Sequence, residues 1–146
     1  MGKLLDKFKA TVEEKKDWYK FPLTFWELVE QLGWKENNFD YKVCCEKLKS
    51  LCNNNKYIMD YFNKIRCSYR DALKNAIDDY ELKEYGARSY GNFFKGGDDS
   101  FDDLCNHIIG LGKETTFSVL ENPKLASEFF DSFKESFAYC FHYDVK

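Results

Sequence analysis

Apolar residues recur at steps of three and four along nearly the whole chain and almost nowhere alternate, so the pattern predicts helices rather than strands. Leu4, Leu5, Phe8 and Val12 predict an amphipathic helix within residues 1–20, and Pro22 breaks the chain after it. Thr24 followed by Glu27 forms a capping box, in which each side chain accepts the other residue's backbone N–H. It opens a short helix through Phe25, Trp26, Leu28, Val29 and Leu32 that Gly33 can close; with so little polar face, that helix is expected to pack deeply. Asp40 can cap the next helix, which carries Val43, Cys44, Leu48, Leu51 and Cys52 and stops at Asn53-Asn54-Asn55. The longest periodic stretch follows, from Ile58 through Phe62, Ile65, Tyr69, Leu73 and Ile77 to about Tyr85. One long helix, or two with a break near Cys67-Ser68, satisfies it equally.

Residues 86–97 hold four glycines and the rings Tyr90, Phe93 and Phe94, an irregular segment expected to lie on the core or to form a recognition edge. Ser100 and Asp103 make a second box-like start for a helix presenting Phe101, Leu104, Cys105, Ile108 and Ile109, which Gly110 or Gly112 ends. A helix from about Lys113 to Leu120 stops at Asn122-Pro123. A last helix is expected from Lys124. On it Leu125, Phe129, Phe133, Phe137 and Phe141 would wind over an arc of roughly 160°, wide enough to make it central. The expected fold is all-α: a single compact domain over 1–146, of six to seven helices around an aromatic-rich core, with 1–20 as an N-terminal helical extension.

Composition sharpens this. Aromatics reach 18%, with 14 Phe, 10 Tyr and 3 Trp, so rings rather than aliphatic side chains should fill the core. A chain of 146 residues can remove about two-thirds of its unfolded surface from water and needs no metal or disulfide staple. The net charge of −3 leaves no basic field for phosphates, and the basic stretches at Lys7–Lys9 and Lys15–Lys16 are interleaved with acids, so nucleic acid is not an expected partner. No apolar run approaches a signal peptide or a membrane span, which predicts a cytoplasmic protein without membrane contact. The six cysteines (Cys44, Cys45, Cys52, Cys67, Cys105 and Cys140) then read as free core thiols; neither a Cys-x-x-Cys pair nor a zinc spacing occurs.

Two blocks carry a resemblance. The first is Phe25-Trp26-Glu27-Leu28-Val29-Glu30. The second runs from Gly96-Gly97-Asp98-Asp99-Ser100-Phe101, through Ile108-Ile109-Gly110-Leu111-Gly112, to Leu120-Glu121-Asn122-Pro123-Lys124-Leu125-Ala126. Together they resemble the bacterial family called domain of unknown function 4240, over roughly residues 24–127. The departures are Leu104, where that family has an aromatic, and Lys124, where it has an acid. The resemblance implies a helical cytosolic bacterial domain and brings no catalytic residue with it.

Three constellations could carry chemistry. Asp98, Asp99, Asp102 and Asp103 concentrate like charge, readable as a helix start, as an acidic hook for a basic partner or as a magnesium site. With Tyr90, Phe93 and Phe94 they would form an aromatic–acidic binding edge. Glu27 and Glu30, with a second acidic pair of Asp78 or Asp79 with Glu81, or of Glu81 with Glu84, could instead hold magnesium in the manner of all-α nucleotide pyrophosphohydrolases. His107 is expected off the apolar face of its helix, and neither it nor His142 has a placed nucleophile. Trp18, Tyr19, Trp34 and Tyr85 are further loop-side rings. The expectation is a non-catalytic protein-binding domain of immunity or inhibitor type, from a bacterium or its phage, without cofactor. The alternative is a magnesium-dependent nucleotide hydrolase.

Overall fold

The computed structural model describes residues 21–86, 93–95 and 97–142, and every regular element among them is helical. The expected helix within 1–20, with Trp18 and Tyr19, lies outside the described residues, as does Tyr90.

Helix α1 spans Phe25–Leu32, α2 Tyr41–Leu51, α3 Lys56–Tyr85, α4 Asp98–Gly110 and α5 Lys113–Glu121. Two 3₁₀ helices follow, Pro123–Phe129 and Phe137–Phe141. The capping box of α1 is formed, with Thr24 Oγ1 accepting from the Glu27 amide at 3.1 Å and Glu27 Oε1 from the Thr24 amide at 2.8 Å. Gly33 closes the helix at φ 61°, in the left-handed region glycine enters without steric cost. Asp40 caps α2 through the Lys42 and Val43 amides, and Asn55 caps α3 through those of Tyr57 and Ile58. Between α2 and α3, Asn53 and Asn54 take positive φ, which accounts for the break at the asparagine run.

The 30-residue α3 runs unbroken past Cys67-Ser68 and is the axis of the molecule. Along it Met59, Phe62, Ile65, Tyr69, Leu73 and Ile77 are buried at helical spacing. Helix α1 lies across its middle: Trp26 donates its indole N–H to Tyr69 Oη at 3.1 Å, and Phe25 stacks on Phe62 and Tyr69. Helices α4 and α5 pack along α3, and the second 3₁₀ helix closes against α2 and α4. One continuous core of rings and aliphatic side chains joins all seven elements.

The segment after Pro123 departs from the sequence expectation. Instead of one central helix it forms two short 3₁₀ pieces separated by turns over 130–136. Its rings serve two walls. Phe130 and Phe133 meet Phe93 and Phe94, while Phe137 and Phe141 meet Trp34 and Phe25. A straight helix would hold all of them on one arc. Helix α4 also starts earlier than expected: it is capped by Gly97 without a side-chain bond, so Ser100 lies inside the first turn and the Ser100–Asp103 box is not used.

Candidate functional site

Rings from distant segments join Phe93 and Phe94 to the end of α3 and to the stretch after Pro123. Phe93 packs edge-on against Tyr80 and against Phe130, both at 4.9 Å, and its amide donates to Glu81 Oε1 at 3.3 Å. Glu81 is buried, so this bond ties Phe93 to α3. Phe94 is buried among Phe101, Phe130 and Phe133. It is therefore a core residue and not a surface anchor. Phe93 is half-buried, and the ring series reaches solvent at Tyr85, which lies edge-on to Tyr80 and is half exposed.

The acids follow immediately. Asp98 opens α4, and its side chain is outside what is described. Asp99 is exposed. Asp102 is half-buried and paired with Lys74 Nζ of α3 at 2.6 Å, an ion pair that docks α4 on α3. Asp103, the next residue of α4, is half-buried. Partial burial, then the charges of Glu135, Asp102 and Asp99, push its carboxyl up to about 6. Glu135 belongs to this edge although it stands 32 positions after Asp103 (135 minus 103), a distance no local pattern reveals.

The two acidic pairs of the hydrolase reading are held apart. Glu27 and Glu30 are exposed on α1, which crosses α3 at Tyr69; Glu81 lies twelve residues further along α3, about 18 Å at the helical rise. Glu27 is engaged in the capping box, and Glu81 receives the Phe93 amide. Asp78, half-buried, is on the same distant stretch of α3. Among the described residues no group of three or more His, Cys, Asp or Glu is placed to hold a metal ion.

Glu27 and Glu30 instead line a cleft of ≈ 540 Å³ between α1 and the α4–α5 junction. Its inner wall is Trp26, Val29 and Trp34, and its rim alternates Lys35, Glu36, Lys113 and Glu114. Both charge signs therefore meet across it.

His107 and Trp34 are corrected by the structure. His107 is 2% exposed and Trp34 1%, so neither is a surface group. The Trp34 indole N–H donates to His107 Nδ1 at 3.1 Å, and the Lys134 amide donates to the same nitrogen at 3.2 Å. Two donors on Nδ1 require it to be unprotonated. Burial, then the nearby Lys134 charge, pull the imidazole down to about 4. This histidine is a neutral acceptor knitting α4 to two loops.

Five of the six cysteines are buried and all are free thiols. Arg66, 4% exposed, is their unexpected neighbour: its guanidinium donates to Asn63, Asn106 and Cys67 Sγ and lies over the Phe141 ring.

These observations define an all-α domain with an aromatic core, an acidic–aromatic edge at the α3–α4 end and a mixed-charge cleft beside α1. Compared with known proteins, the chain matches no family model, no curated protein and no solved structure. No helix among the described residues is long and apolar enough to cross a membrane.

Proposed function

We propose that the protein is a non-catalytic protein-binding domain of the immunity or inhibitor kind, acting in the cytoplasm of a bacterium or of a phage-infected cell. It engages a basic partner through the edge formed by Phe93, Asp99, Asp103 and Glu135. The resemblance to domain of unknown function 4240 is part of this proposal, and the blocks that carry it fall mainly on α1, α4 and α5. The observation that carries the reading is the state of Asp103. Three further carboxylates bear on a half-buried one, and the charge of all four exceeds what Lys74 offsets. Such like-charge crowding costs the free protein stability. Arg or Lys side chains of a partner would relieve it on binding, and electrostatic complementarity of that kind sets on-rate and specificity. Tyr85 and the edge of Phe93 supply apolar contact beside the acids.

Charge reversal of the two exposed acids tests it. The wild-type chain, immobilised in lysate of its source cell, is expected to retain a basic protein whose recovery falls with added salt. Asp99→Lys with Glu135→Lys is expected to lower that recovery at least tenfold at an unchanged or raised melting temperature. Equal recovery by the two chains refutes the edge.

A further inference from the structure

Five large hydrophobic side chains stand in solvent among the described residues, and three of them, Tyr57, Leu82 and Tyr85, belong to α3. Tyr57 is 74% exposed at its start, while Leu82 and Tyr85 are 43% and 50% exposed at its end. Between them Asp60, Lys64, Ser68, Asp71, Asn75 and Asp79 are exposed at steps of three and four. The helix that buries Phe62, Tyr69 and Ile77 on one side thus keeps one solvent-facing stripe along its length, about 42 Å from Tyr57 to Tyr85 at the helical rise. Charge along α3 is divided by halves. Residues 56–70 carry Lys56, Lys64, Arg66 and Arg70 against Asp60, a net charge of +3. Residues 71–85 carry Asp71, Asp78, Asp79, Glu81 and Glu84 against Lys74 and Lys83, a net charge of −3. A helix has its positive pole at the N-terminus, so this division opposes the macrodipole and brings the isolated helix no stability.

We propose that a second copy of this chain docks on the stripe, its own α3 running antiparallel across a two-fold axis, in a weak and salt-sensitive dimer. The basic half of each helix then lies against the acidic half of the other. The register that sets Lys64 of one copy against Asp79 of the other also sets Asp60 against Lys83 and Ser68 against Asn75, and the symmetry forms each pair twice. All six positions are exposed. Ser68 Oγ donates to Lys64 O within its own helix, so its lone pairs can accept from the Asn75 amide of the other copy. At each end the same register brings Tyr57 within about one turn of Leu82 and Tyr85 of the second copy, covering the apolar ends of the stripe. The two Asp71 side chains meet near the axis, where each is already paired with its own Arg70 at 3.0 Å and brings no bare like charge.

The size of the contact sets its strength. A strip about 42 Å long and about 10 Å wide covers about 400 Å² on each copy, or about 800 Å² in all. That is below the area of a standard stable interface, so the dimer forms at high micromolar concentration and dissociates on dilution. Its pairs are exposed ion pairs, which salt screens. A parallel arrangement would set like halves together, and charge alone excludes it. The stripe includes none of Phe93, Asp99, Asp103 and Glu135 and shares only Tyr85 with the partner edge proposed above.

Sedimentation velocity of the full chain, from micromolar to millimolar concentration, tests the pairing. At low salt the average mass is expected to rise towards that of two chains, with the dissociation constant weakened at least tenfold at high salt. Lys64→Glu and Asp79→Lys, both at exposed positions, are each expected to weaken association at least fivefold. An equimolar mixture of the two variants is expected to recover wild-type association, because each meets its complement across the axis. Carbodiimide coupling of a mixture of isotope-labelled and unlabelled wild type is expected to join Lys64 of one copy to Asp79 of the other. Within one chain those residues stand about 22 Å apart along α3, beyond the reach of a zero-length bond. A chain that stays monomeric to millimolar concentration at low salt overturns the proposal. So does association without the Lys64–Asp79 cross-link, or a mixture no stronger than its components.

Discussion

Gly110 shows how a single missing carbon organises the interior. A Cβ there would stand 2.7 Å from Trp34 Cδ1 and 2.7 Å from Phe137 Cδ1, neither of which is a flexible chain end. Glycine at the end of α4 thus permits the closest approach of two buried rings, and does so through space rather than through an unusual φ. Gly110→Ala is expected to destabilise the fold by about 2 kcal/mol, the usual cost of overpacking, measurable by urea unfolding. His107 makes a pH prediction. Its folded pKa of about 4 lies below the ordinary 6.5, so the unfolded chain binds the proton more tightly. The stability it confers is complete above pH 6.5 and falls by up to about 3 kcal/mol as pH drops towards 4. His107→Asn keeps an acceptor near the position of Nδ1 but cannot titrate. Urea midpoints of that variant are expected to be lower at pH 7 and flatter between pH 6.5 and 4 than those of the wild type.

At the scale of elements, caps and interior rings act on different parts of the chain. Thr24, Asp40 and Asn55 each satisfy backbone donors that would otherwise end a helix exposed, and these short-range bonds set where α1, α2 and α3 begin. Thr24→Ala removes the only side-chain acceptor of the α1 box from the Glu27 amide and is expected to cost about 1 kcal/mol, read as a lower thermal midpoint with helix content otherwise retained. The stretch after Pro123 behaves in the opposite way. Its helical spacing is real, yet Phe129, Phe130, Phe133, Phe137 and Phe141 are residues of middling helix propensity, and six ring contacts to other segments outweigh it. Breaking into 3₁₀ turns lets Phe130 face Phe93 while Phe137 faces Trp34.

For the whole molecule, the distribution of charge matters more than its net value of −3. Asp103 illustrates the cost. Its folded pKa of about 6 lies above the ordinary carboxylate value, so the folded state holds the proton more tightly. Its contribution is present in full below about pH 4 and is lost as pH rises through 6, opposite in sign to that of His107. Asp103→Asn is accordingly expected to raise stability at pH 7 by about 1 kcal/mol, after discounting for solvent screening, with no gain at pH 3.5. Denaturation at the two pH values checks it. Glu135 takes part in this edge only because the chain between the 3₁₀ helices returns to α4. The aromatic–acidic segment could therefore be noticed along the chain, whereas the membership of its cluster could not: Phe94 turned inward, Asp102 turned to Lys74, and Glu135 arrived from elsewhere.

The amino-acid order alone determined the all-α class, where the α-helices fall and most of their ends, but not whether the longest stretch is one helix or two, because apolar spacing, caps, glycine and proline act within one or two turns of where they stand. Tertiary structure alone decided that the Phe-rich stretch is two 3₁₀ pieces, that Lys56–Tyr85 is one helix, that His107 is a buried acceptor, and that Glu27 and Glu81 stay apart. Each of these depends on which face of one element another covers. That choice belongs to the packing of large rings into shared volume, which no local spacing encodes.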